Sequence, residues 1–114
     1  MSEFAFLFRG GDPSARSPEQ MQQYAQRWVA WFKEIGEKGY IKEPGNPLER
    51  TGKVVSGKQK SVHDGPYAEA KDIVNGYTLI EAEDLPRAVE IAKGCPVLEL
   101  GGSVEVRPIR IMNV

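Results

Sequence analysis

The sequence predicts an α+β fold: a four-stranded antiparallel sheet carrying two helices on one of its faces. Three observations predict it. Two segments place apolar residues at helical spacing, several short segments have the apolar patterning of strands, and their order is βαββαβ. At 114 residues the chain has room for one domain, 1–114, with a real hydrophobic core.

The first strand is expected over residues 3–9, where Phe4, Phe6 and Phe8 fall on one face and Ala5 and Leu7 on the other. Both faces are apolar, so both sides of the sheet need covering. Gly10-Gly11-Asp12-Pro13 breaks the strand. Ser17-Pro18-Glu19-Gln20 then starts a helix, with Ser17 as cap, Pro18 in the first turn and Gln20 closing a capping box. Met21, Tyr24, Ala25, Trp28, Phe32 and Ile35 form its apolar stripe, read as core. Trp31 and Val29 fall partly off that stripe, and the helix should end near Gly36 or Gly39.

Residues 40–50 contain Pro44, Gly45, Asn46 and Pro47 and suit an irregular connection. Thr51–Ser56 and Lys58–His63 flank Gly57 and read as a short polar hairpin, of the kind found at sheet edges. Val74–Glu81 suits a central strand. Asp84 caps a second helix carrying Leu85, Ala88, Val89 and Ala92, which Gly94 and Pro96 terminate. The last strand, Val104–Ile109, sets Glu105 and Arg107 on one face and Val104 and Val106 on the other.

This order is the ferredoxin-like plan. Its two helices cover one side of the sheet only, so the doubly apolar first strand calls for a second copy of the chain on the other side. The expectation is a homodimer with Glu105 and Arg107 lining a cleft between facing sheets.

Composition excludes several classes. Fifteen basic against sixteen acidic residues leave a net charge of −1, which offers no electrostatic footprint for nucleic acid or an anionic membrane. The apolar runs are too short for a signal or membrane segment, so the cytoplasm is the expected location. A single cysteine and a single histidine provide neither an internal disulfide nor a zinc site within one chain. Gly101-Gly102-Ser103 precedes a strand rather than a helix, so it reads as a turn, not a phosphate loop, and no cofactor is called for. Cys95, at a helix C-terminal end, reads as a buried inert thiol.

The candidate chemistry lies in His63-Asp64-Gly65-Pro66-Tyr67-Ala68-Glu69-Ala70-Lys71-Asp72, where the histidine meets three acidic residues around a Gly-Pro turn. Asp64, Glu69 and His63 are the catalytic candidates for proton transfer, Glu69 being able to return to the pocket of Asp64. Adjacent residues on a regular strand point to opposite faces, so His63 and Asp64 need the bend at Gly65-Pro66 to cooperate. Otherwise Asp64 is a turn former, His63 a surface residue and Glu69 the salt-bridge partner of Lys71 or a nearby arginine. Tyr67 and Tyr77 could offer ring walls and hydroxyls to a ligand or simply pack in the core. Arg9 and Arg107 could clamp a substrate carboxylate or pair with Glu81 or Glu105.

Asp64-Gly65-Pro66-Tyr67 with Ala68-Glu69-Ala70-Lys71-Asp72, Gly76-Tyr77-Thr78-Leu79-Ile80-Glu81-Ala82, Cys95-Pro96 and Gly101-Gly102-Ser103-Val104-Glu105-Val106-Arg107-Pro108 resemble the YCII-related proteins. The branch is the one named for its Asp-Gly-Pro-Phe (DGPF) motif, with Tyr67 in place of the phenylalanine. The resemblance implies a dimeric α+β barrel. It also implies small-molecule chemistry, since some YCII-type proteins have been proposed as enzymes using a His-Asp pair and a few relatives act on ring-cleavage or chlorinated aromatic intermediates. Genes of this branch often accompany extracytoplasmic-function sigma factors, which implies association with a sigma factor as an alternative. The resulting expectation is acid-base isomerisation, elimination (as by a dehydrohalogenase) or hydrolysis of a small polar or aromatic acid in a dimer cleft, with a non-catalytic ligand-binding or regulatory protein as the competing reading.

Overall fold

The structure, a computed structural model, describes residues 1–11, 16–66 and 70–112. Its strands are β1 (Ser2–Arg9), β2 (Ile41–Glu43), β3 (Gly52–Ser56), β4 (Ser61–Gly65), β5 (Val74–Ala82) and β6 (Ser103–Pro108), and its helices are α1 (Pro18–Glu37) and α2 (Leu85–Ala92). The main sheet runs β2-β5-β1-β6, with antiparallel neighbours throughout. That is the ferredoxin-like order, and the fold is α+β.

Register explains the two faces of the sheet. Phe4, Phe6 and Phe8 lie opposite Ile80, Thr78 and Gly76 on one side and Pro108, Val106 and Val104 on the other, and all three rings are buried beneath the helices. Trp31 and Ile35 of α1 and Ala88, Ile91 and Ala92 of α2 complete this core. Phe6 stacks on Trp31 with ring centroids 6.4 Å apart. Each such ring contributes about 1.5–3 kcal/mol by leaving water. Both helices start as the sequence indicates: Ser17 and Gln20 form the capping box, and Asp84 accepts from the Arg87 amide.

Three expectations change. The strand beside β5 is Ile41–Glu43, inside the stretch expected to be irregular. Beyond it the chain stays along the β5 edge, where the Leu48 amide donates to the Asn75 carbonyl at 2.8 Å and Pro47 bridges Gly76. Prolines are tolerated there because an edge strand leaves half its amides unpaired. Gly45, with φ of +70°, lies so close to β5 that a Cβ would sit 1.9 Å from the Tyr77 carbonyl oxygen. Only glycine fits.

The hairpin forms, but as a separate two-stranded sheet of β3 and β4, with Gly57–Lys60 as its turn and with Asp64 and Gly65 inside the strand. It projects as an arm. The radius of gyration is 15.7 Å, against about 13 Å for a compact chain of this length.

The stripe of α1 also divides. Trp31, expected at its margin, is core, whereas Met21 and Ala25 are exposed, and Tyr24, Trp28 and Phe32 are half-buried. The C-terminal half of the helix packs on the sheet. The N-terminal half stands off it and leaves a space.

Candidate functional site

The space beneath the N-terminal half of α1 is a cavity of about 570 Å³. One wall is the helix, with Tyr24, Trp28 and Phe32. The opposite wall is the β5 edge with the Pro44–Leu48 strip, and the floor includes Phe8, Gly76 and Thr78. Gly76 lies opposite Phe8 and contributes no side chain, which keeps this part of the helix-sheet layer open. Trp28 packs edge-to-face with Phe8 and with Tyr24, ring centroids 5.0 and 6.3 Å apart, so the aromatic wall is braced by its own contacts.

Polar groups are few and placed at the margins. The Thr78 hydroxyl donates to the Pro44 carbonyl at 2.8 Å, which ties the strip to β5. Asn75 donates from Nδ2 to the Gly10 carbonyl, also at 2.8 Å. Burial pushes the Tyr24 hydroxyl above its ordinary pKa, against a smaller opposing effect of the Trp28 side chain, so it is a neutral donor at physiological pH. Arg50 lines the cavity from the bend before β3. No carboxylate lines it among the described residues.

The residues singled out from sequence are distributed differently. His63 and Asp64 lie on adjacent positions of β4 and are exposed; they point to opposite faces of the arm, and neither lines the cavity. Strand pairing runs through both residues to Gly65, opposite Gly52, so the two side chains do not converge within this hairpin. Asp64 pairs with Lys53 across the hairpin, and its side chain keeps 90% of its accessible surface. Glu69 and Tyr67 lie outside the described residues. Tyr77 borders the cavity, and its hydroxyl accepts weakly from Asn46 Nδ2 at 3.4 Å.

Arg9 and Arg107 are held by one carboxylate. Arg9 approaches Glu105 Oε1 at 2.8 Å and Arg107 reaches Oε2 at 3.1 Å, on the sheet face away from the helices. Of the two roles weighed for them, the ion pair is the one present. These two cations, Arg9 first, hold the Glu105 carboxyl below its ordinary pKa. Cys95 is buried, and burial pushes its thiol up to about 12.

The sequence reading missed the cavity because its walls are the residues assigned to core. A helix stripe looks the same whether it meets a filled or an empty layer. Two glycines opposite that stripe, Gly45 and Gly76, were the available signal.

The YCII-related domain matches residues 19–113 of the sequence. The chain belongs to the YCII-related family. No curated protein matches it. Among solved structures, this YCII-related chain is similar to 5-chloro-2-hydroxyhydroquinone dehydrochlorinase from Burkholderia phenoliruptrix AC1100, in complex with 2,5-dihydroxybenzoquinone. The TM-score is 0.52 at 17% identity, covering 95% of this chain and 93% of that one. At that identity the likeness is one of fold. No helix among the described residues of the YCII-related chain is long and apolar enough to cross a membrane.

Proposed function

We propose that the protein is a small-molecule enzyme that holds a planar ring compound with polar substituents in the cavity between α1 and the sheet. The observation that carries this reading is a space of about 570 Å³ walled by Tyr24, Trp28, Phe32 and Phe8. Flat aromatic walls with a few peripheral donors suit a flat ligand with hydroxyl or carbonyl groups. The structural neighbour, which acts on a chlorinated hydroxyhydroquinone, supports the same class.

Acid-base chemistry is the reaction type in this proposal, with Tyr24 as a neutral donor beside the bound ring. His63 and Asp64 do not line the cavity of their own protomer, so a part for them requires the arm of a second copy. The same proposal includes a homodimer. Ala5, Leu7 and Leu79 share the helix-free face of the sheet, rimmed by Lys42 with Glu3 and Glu81 at one edge and by Arg9, Glu105 and Arg107 at the other. An apolar centre with a mixed-charge rim is self-complementary under twofold symmetry.

The test reads tryptophan emission, to which the cavity-lining Trp28 and its neighbour Trp31 contribute. Neutral hydroxylated and chlorinated benzenes and quinones should quench tryptophan emission and raise the melting temperature. Ala25→Leu, which fills the cavity from an exposed helical position, should weaken binding at least about tenfold without lowering the melting temperature of the free protein. Failure of the whole panel to bind, or equal binding by the filled variant, would overturn the proposal.

A further inference from the structure

Arg50 is unlike the other cations of this chain. Among the described residues, Arg9, Arg27, Lys42 and Lys53 are ion-paired across the fold, and Arg107 pairs with Glu105 of its own strand. Lys38 and Lys93 pair with glutamates of their own helical turns. Arg87 donates to the Tyr40 hydroxyl at 2.7 Å, and its guanidinium lies 5.4 Å from the centre of that ring. Arg16, Lys33, Lys58, Lys60, Lys71 and Arg110 stand in none of these pairs and are exposed to water, which serves them. Arg50 is half-buried, and no carboxylate of the described residues pairs with it.

A guanidinium on the lining of a largely apolar cavity that carries no carboxylate among the described residues is a ready partner for a bound anion. Its surroundings define what that anion is attached to. Arg50 lies on the lining shared with Trp28, Tyr24 and Phe32, so an anion that it binds shares the cavity with aromatic side chains. A guanidinium presents paired N–H donors in a plane, the complement of a carboxylate's two oxygens.

We infer that Arg50 is the anion-recognition residue of the cavity, and that the ligand is a planar aromatic ring bearing a carboxylate. This rests on the proposed occupancy of the cavity by a ring compound and adds the charge of that compound and the residue that selects it. Arg9 and Arg107 share the Glu105 carboxylate on the helix-free face, whereas Arg50 lies on the cavity lining, so the role of anion clamp is assigned to Arg50.

The test compares 2,5-dihydroxybenzoate with 2,5-dihydroxybenzamide, which differ in charge and little in shape, by calorimetry and tryptophan emission. The wild-type protein should bind the acid at least about tenfold more tightly than the amide. Arg50→Gln should bring the two within about twofold by weakening the acid alone, and Arg50→Lys should restore part of the preference. Unchanged amide binding in Arg50→Gln shows that the cavity is intact. Equal wild-type affinity for acid and amide, or equal loss of both in Arg50→Gln, overturns the charge assignment and leaves the ring-binding reading standing. If neither compound binds the wild-type protein while the neutral ring panel does, the charge assignment alone is overturned; if the panel fails as well, both are. Equal binding of hexanoate and 2,5-dihydroxybenzoate overturns the aromatic part of the inference.

Discussion

Thr78 is fully buried, and its one described hydrogen bond, to the Pro44 carbonyl, fastens the strip that forms one side of the cavity. Thr78→Val keeps the shape of the side chain and removes the donor, leaving a carbonyl without its partner. The expected cost is about 1–3 kcal/mol, read from urea unfolding at unchanged m; an unchanged midpoint would show that water replaces the hydroxyl. At this scale the sequence was partly legible. Periodicity placed Phe4, Phe6 and Phe8 on the buried face correctly, because alternation along a strand is a local rule. It could not rank Trp28 and Trp31, since which half of a helix touches the sheet depends on a glycine in another element, Gly76. Nor could it choose between roles for Arg9 and Arg107, whose shared partner Glu105 is 96 residues from Arg9 along the chain.

At the scale of elements, Glu105 joins β1 to the edge strand β6 through Arg9 and is also held by Arg107. Because the folded carboxyl lies below its ordinary pKa, the unfolded chain binds more protons in the acid range. Its stabilisation is therefore complete above the unfolded pKa and disappears as pH falls through the folded value. The wild-type advantage over Glu105→Gln in urea midpoint should shrink between neutrality and about pH 3. A gap independent of pH would contradict this linkage. The hairpin and both helices were legible from turn residues and caps. The short strand β2 was not, because three residues carry too little pattern and its pairing with β5 is set by the tertiary path of Pro44–Leu48. The end of the hairpin's second strand, expected at His63, lies further on for a related reason: ladder pairing with β3 carries the strand through Gly65.

For the molecule as a whole, the helix-free face of the sheet is the feature with the largest consequence for assembly. Leu79 lies directly opposite Ala5 and diagonal to Leu7 in the middle of that face. The proposed dimer should sediment at twice the 12.7 kDa protomer mass at micromolar concentration. Leu7→Lys should return it to one protomer without unfolding, since that side chain points away from the helical core. A wild-type protein that sediments as a single protomer would refute the pairing. The whole-molecule plan was the most legible level, because the βαββαβ order and one doubly apolar strand constrain the topology strongly. The position of the cavity was the least legible, because empty volume leaves no residue behind to mark it.

Cys95 has a practical consequence for work on such questions. Its sulfur is enclosed at the end of α2 and keeps its proton far above neutrality, so alkylating reagents and mild oxidants find no reactive thiolate on the native chain. A cysteine substituted at the tip of the projecting hairpin would then be the sole handle for a fluorophore or spin label. The arm's distance from its own protomer and from a neighbour could be measured without first stripping the natural thiol.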